Sequence, residues 1–156
     1  MKKIKINHNK EVTVDKKDFD WLNQWKWRWD GQRATRTIVD KDGTQHSVKM
    51  HRLIMGSPKG MVVDHINGDT LDNRRSNLRV CTSQQNSFNA RAQTGTSKYK
   101  GVSKNSRCPG KPWYAYIRHN YKSINLGNHQ NEKTAAMAYN RKAKELFGDY
   151  ARLNQV

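Results

Sequence analysis

Asp64, His65, Asn77 and Asn86 fall within 23 positions, a stretch that also carries Asn67, Asp69, Asp72, Asn73 and Arg79. An aspartate and an asparagine offer the hard oxygen ligands that Mg²⁺ or Mn²⁺ prefers, with positions left for water and a phosphate oxygen. A histidine beside them, with an ordinary pKa of about 6.5, takes a proton from water at neutral pH, an effect worth roughly 10²- to 10⁴-fold. Such a set is sufficient in outline for phosphodiester hydrolysis. An EF-hand is excluded, because its loop needs an oxygen ligand at the third position and Ile66 stands there. Asp, Asn and Gly also gather in loops simply because they make turns, so the order and spacing carry the reading rather than the composition.

The elements that must hold these residues can be read on either side of them. Val62 and Val63 lead a strand into Asp64 and His65, Asn67-Gly68 turns the chain, and Leu78 to Val80 make a short return strand. Thr82 with Gln85 three residues on is a capping box that opens a helix carrying Asn86. The order is strand, loop, strand, helix. His51, Arg52 and Arg79 are candidates for contact with the scissile phosphate or for plain surface solvation.

Met50 to Asn89 resembles the HNH endonucleases of ββα-metal fold, in the homing-type branch found in phages and introns. The signature is a His preceded by Asp, an Asn twelve positions later and a metal ligand about twenty after the His, met here by Asp64-His65, Asn77 and Asn86. The resemblance implies that His65 is the general base, that Asn77 holds the loop and the base in place, and that Asp64 and Asn86 bind one divalent cation. The last position is Asn rather than the histidine that gives the family its name.

Upstream, Trp25, Trp27 and Trp29 alternate with Lys26 and Arg28 in the period of a half-buried strand. Arg36 to Val39 and Thr44 to Met50, joined by Asp40-Lys-Asp-Gly43, read as a hairpin. Residues 1 to 50 are expected to form a small β-rich layer, with the tryptophans as its core or as a base-stacking platform. Gln85 to Ser97, rich in Gln, Asn, Ser, Thr and Gly, reads as a linker that begins where a helix ends.

Beyond it, Tyr99–Ser103, Trp113–His119 and Lys122–Leu126 read as strands, followed by a helix capped by Asn131, closed by Gly148 and striped with Ala135, Ala138, Tyr139, Ala143 and Leu146. Residues 98 to 154 resemble the DNA-binding domain of plant ethylene-response factors, the apetala-two type. That resemblance implies a three-stranded sheet laid in the major groove with a helix behind it. Alternation points Trp113, Ala115 and Ile117 at the helix and Tyr114, Tyr116 and Arg118 at DNA. Lys100, Ser103, Lys104, Ser123 and Asn125 fall at or beside the family's contact positions, and Lys122 is expected on phosphate. Where plant members use several arginines and tryptophans, this chain has Ser103, Ser123 and Asn125, so their sequence preference does not carry over.

Charge agrees with a polyanionic partner. The 156 residues hold 30 Lys and Arg against 13 Asp and Glu, a formal charge of +17. Split at Ser97, the two parts carry +8 and +9, so both can touch phosphate. No run approaches the roughly 18 apolar residues of a membrane span, and the basic residues lie along the whole chain rather than on one helical face. The positive start Met1-Lys-Lys-Ile-Lys lacks the apolar stretch of a signal peptide, so an intracellular, cytoplasmic protein is expected. Cys81 and Cys108 have no C-x-x-C spacing, so no zinc site is expected. The sequence thus reads as an α+β protein with a nuclease domain over 1–90, a linker over 91–97 and a DNA-binding domain over 98–156. It is expected to act on double-stranded DNA as a monomer or homodimer, nicking or cutting both strands. The rivals are a non-catalytic DNA-binding regulator that kept the fold and a basic RNA-binding protein.

Overall fold

Near the N-terminus two strands, β1 (Lys2–Ile6) and β2 (Lys10–Val14), pair antiparallel across Asn7–Asn9, where His8 and Asn9 take the left-handed turn conformation. In this computed structural model, which describes residues 1–91 and 95–156, alternation puts Ile4, Ile6, Val12 and Val14 on the buried face of that hairpin. The helix α1 (Lys16–Asn23) follows at once, with Asp15 as its N-cap residue and Asp18 in its first turn.

The layer over residues 1–50 is β-rich, with five strands, and the sequence reading did not place this helix. Its apolar residues are Phe19, Trp21 and Leu22 alone, and Leu22 is fully buried. The tryptophans are likewise not a strand: only Arg28–Trp29 forms one, the two-residue β3, while Trp25 and Trp27 lie before it. Trp27 is buried and its indole Nε1–H donates to the Leu22 carbonyl at 2.9 Å. Trp21, Trp25 and Trp29 pack half-buried around that core, with the Arg36 guanidinium 3.9 Å from the centre of the Trp25 ring.

The strands β4 (Ala34–Val39) and β5 (Gln45–Lys49) form the expected hairpin, and with β3 they make an antiparallel sheet in the order β3-β4-β5. Its turn is closed by Gly43, at φ +85°, a conformation glycine adopts without steric cost. The second expected strand stops one residue short, because Met50–Met55 is a helix, α2, ended by Gly56 in the left-handed conformation. Met50 and Ile54, one turn apart, are both buried, which explains the helical course.

The strands β6 (Val62–His65) and β7 (Leu78–Cys81) pair antiparallel, setting Asp64 opposite Arg79 and His65 opposite Leu78. Helix α3 (Ser83–Phe88) comes next. Both capping-box bonds are made: Gln85 N–H donates to Thr82 Oγ1 at 3.1 Å, and Thr82 N–H donates to Gln85 Oε1 at 2.9 Å. The chain divides into two compact units, Met1–Asn86 and Ser87–Val156, with the division inside α3.

The second unit is a sheet of β8 (Val102–Lys104), β9 (Trp113–His119) and β10 (Lys122–His129) in the order β10-β9-β8, with α4 (Glu132–Phe147) against one face. Asn131 caps α4, its side chain accepting the Thr134 N–H at 2.9 Å. The buried stripe of α4 is Ala135, Ala136, Tyr139, Ala143 and Phe147, so the expected Ala138 and Leu146 stand at its margin. Ser97, the last residue of the sequence stretch read as a linker, is buried in this unit, and its Oγ donates to Glu132 at 2.6 Å. Residues 92–94 of the expected linker lie outside the described residues.

Candidate active site

Asp64 and His65 end β6, at 7% and 5% exposure. A carboxylate at that depth needs a partner, and Arg79 on β7 supplies it: Nη2 and Nε donate to Asp64 Oδ2 at 2.7 and 2.9 Å. Arg79 was a candidate for the scissile phosphate or for surface solvation. The β6–β7 register seats it beside Asp64, and its guanidinium pairs with that carboxylate.

The loop between the strands is built around Asn77. Its Oδ1 accepts the Asn67 N–H at 3.0 Å, its Nδ2 donates to the Asp72 carbonyl at 2.8 Å, and its own carbonyl accepts the Ile66 N–H at 2.9 Å. One buried amide thus closes both ends of the loop that leaves His65. Asp72 adds a second layer, accepting from Asn67 Nδ2 at 3.0 Å and from Arg74 Nε at 2.7 Å. Asn86 is half-buried on α3, where its backbone N–H donates to the Thr82 carbonyl.

His65 does not keep the ordinary pKa expected from sequence. Burial pulls it down, and the positive charge of Arg33 pulls the same way. The hydrogen bond to Asn73 and the charges of Asp64 and Asp69 oppose that shift without overcoming it. The imidazole is therefore neutral at pH 7, the form a base requires. His51, a candidate phosphate contact in the sequence, is 3% exposed and sits edge-on to His65 with ring centres 5.0 Å apart. Burial first, then His65 and the cations Arg33, Lys49 and Arg52, lower its pKa to about 3. The geometry thus sets an uncharged, buried imidazole against the ring of His65. Arg52 is also taken up, donating to the Met61 carbonyl at 2.8 Å.

Sequence reasoning missed Asn73, Arg33 and Thr13. Asn73 is 1% exposed and its Oδ1 faces His65 Nε2 at 3.4 Å. Its backbone N–H donates to Thr13 of β2, and Thr13 N–H donates to Leu71. Only the long-range register brings these together, and no local pattern announces it.

In the second unit the register places Ser103 opposite Tyr114, Asn125 opposite Tyr116 and Ser123 opposite Arg118. These six candidates share the face away from α4, since Ala115 and Ile117 between them are buried against it. The rings of Tyr114 and Tyr116 stack there, 5.8 Å between centres. Lys104 and Lys122 are exposed but pair with Trp113 and His119, so they carry the parity of the helix face at the strand ends. Lys100 is not a surface cation. Its Nζ donates to the Phe88 carbonyl at 2.7 Å, and burial, aided by Arg152, lowers its pKa to about 8.

Among the described residues no three His, Cys, Asp or Glu side chains gather as a metal site. The expected donors are one carboxylate, Asp64, and one amide, Asn86. Those hard oxygens fit a cation that keeps most of its water shell, as Mg²⁺ does.

Residues 48–88 match the family model described as HNH endonuclease. Over 147 residues, 93% of this chain and 74% of the other, the sequence is 35% identical to a protein named as an uncharacterized HNH endonuclease of Acanthamoeba polyphaga mimivirus. It is also 31% identical over 96 residues, 61% of this chain and 77% of the other, to Protein 3.8 of Escherichia phage T7. No solved structure matches the chain. The chain belongs to the HNH endonuclease family, and it is a nuclease. HNH nucleases act on DNA and generally use a divalent metal ion. No helix among the described residues is long and apolar enough to cross a membrane.

Proposed function

We propose that this chain is a metal-dependent, homing-type DNA endonuclease whose β6-β7-α3 segment is a ββα-metal site. It hydrolyses phosphodiester bonds in double-stranded DNA. The observation that carries this reading is the neutral, buried His65 beside the Asp64 carboxylate on a loop closed by Asn77. His65 takes the proton from the attacking water, because burial keeps it unprotonated at neutral pH. Asn77 holds the loop so that the imidazole keeps its place. Asp64 and Asn86 would hold one Mg²⁺ or Mn²⁺, which when bound supplies positive charge to the phosphate and the leaving oxygen.

The domain reading is 1–90 for the nuclease and 98–156 for an apetala-two-type DNA-binding domain, joined by 91–97. Supporting it, Ser103, Tyr114, Tyr116, Arg118, Ser123 and Asn125 lie on one sheet face, with Arg118, Ser123 and Asn125 exposed and the other three half-buried. Binding through that face raises the local concentration of DNA at the catalytic site. The non-catalytic regulator is the alternative, and His65→Ala separates the two. Loss of cleavage with DNA affinity kept within a few fold supports the nuclease reading; no cleavage by the wild type with any divalent metal supports the regulator.

A further inference from the structure

Asn73, outside the expected site, is a side chain of the loop that reaches the imidazole. Its Nδ2 donates to the Thr70 carbonyl at 3.2 Å, which fixes the orientation of the amide and turns Oδ1 toward His65 Nε2, 3.4 Å away. A carboxamide oxygen only accepts, so Nε2 must carry the proton, and in the neutral ring the lone pair then falls on Nδ1. At 3.4 Å the bond is near the limit of hydrogen-bond distance, so a backbone shift of a few tenths of an ångström would lose it.

The N-terminal hairpin opposes such a shift. Asn73 N–H donates to the Thr13 carbonyl at 2.8 Å and Thr13 N–H donates to the Leu71 carbonyl at 2.9 Å, a parallel bridge between β2 and the loop. Two residues on, Arg75 N–H donates to Asp15 at 2.9 Å, and its guanidinium grips buried Asp18 through two 2.8 Å bonds. The segment 69–75 is thus tied at two points to residues outside the matched span of 48–88.

We propose that Asn73 is a positioning residue that fixes the tautomer of His65 through its contact with Nε2, and that the β1–β2 hairpin is the brace that keeps it within reach. The catalytic consequence rests on the reading of His65 as base; the tautomer itself does not.

Long-range ¹H–¹⁵N correlation spectra of metal-free, full-length protein report which ring nitrogen of His65 carries the proton. Wild type should show Nε2–H with Nδ1 unprotonated. Asn73→Ala should show both tautomers and lose about 10- to 100-fold in kcat on saturating plasmid DNA, the range known for groups that orient metal-bound histidines, with KM changed less than about threefold. Asn73→Asp, which still accepts at the same place, should keep Nε2–H. Thr13→Pro, which deletes the N–H given to Leu71 without touching a bond to β1, should move the tautomer the same way in a protein whose circular dichroism is unchanged. An unaltered tautomer in Asn73→Ala overturns the proposal, whether kcat falls or not. Failure of His65→Ala to reduce cleavage overturns the base reading alone.

Discussion

Asp64 and Arg79, opposite one another on β6 and β7, form a side-chain ion pair of 2.7 Å in which the carboxylate is 8% and the guanidinium 16% exposed. Removing one member leaves a buried charge without its counter-ion, a loss of about 3–5 kcal/mol. Arg79→Ala should therefore lower urea-denaturation stability by several kcal/mol. The double variant Asp64→Asn, Arg79→Met should recover much of it, and equal losses in both would mean that the pair contributes little.

His51 ties stability to pH. Its folded pKa of about 3 lies below the unfolded value of about 6.5, so between those two values the unfolded chain binds more protons. The stabilising contribution is fully present above the unfolded pKa and is lost as pH falls from there toward 3. His65, also lowered, acts in the same direction. The melting temperature should fall steadily from pH 7 to pH 4, and His51→Leu should flatten that slope.

Because His65 is pulled below the usual histidine range, the acid side of the cleavage profile should lie below pH about 6.5. Single-turnover cleavage should be nearly as fast at pH 6.5 as at pH 7.5. Half-maximal activity at pH 7 or above would contradict a buried neutral base.

Gly101, at φ +71°, lies where an added Cβ would fall 2.1 Å from the Tyr139 ring and 2.4 Å from the Tyr116 carbonyl oxygen. The carbonyl is part of β9 and cannot turn aside. Gly101→Ala combines strain of about 1–2 kcal/mol with overpacking of about 1–3 kcal/mol. It should destabilise the second unit selectively, seen as faster amide exchange in β8–β10 with β6 and β7 unchanged.

Arg118 is exposed on the face it shares with Tyr114 and Tyr116. If it meets a phosphate, Arg118→Ala should weaken binding to unrelated duplexes alike. It should also reduce the slope of log affinity against log salt by about one. An unchanged slope would remove that face from the DNA contact.

The parts of this protein legible from sequence were those with local causes. The Val62–His65 strand, the Thr82–Gln85 capping box, the Asp40–Gly43 turn and the Asn131 cap each depend on residues within a few positions of one another. Helix α1 was hidden because it spans only eight residues, of which Phe19, Trp21 and Leu22 alone are apolar, too short a window for a periodicity to stand out by eye. Met50–Met55 was hidden by its shortness and by an apolar run that suits a strand equally well. The partners of Arg79, Lys100 and Asn73 were beyond reach for another reason. Each is set by tertiary register, which decides whether a basic or amide side chain meets solvent, a carboxylate or the base.

The most direct test of the central claim is supercoiled plasmid incubated with wild type or His65→Ala in Mg²⁺, Mn²⁺ or chelator, resolved on a gel. The expected result is open-circle or linear product from the wild type with metal, and none from His65→Ala or with chelator. Product that persists in chelator, or that His65→Ala forms at the wild-type rate, would contradict a metal-dependent site built on His65.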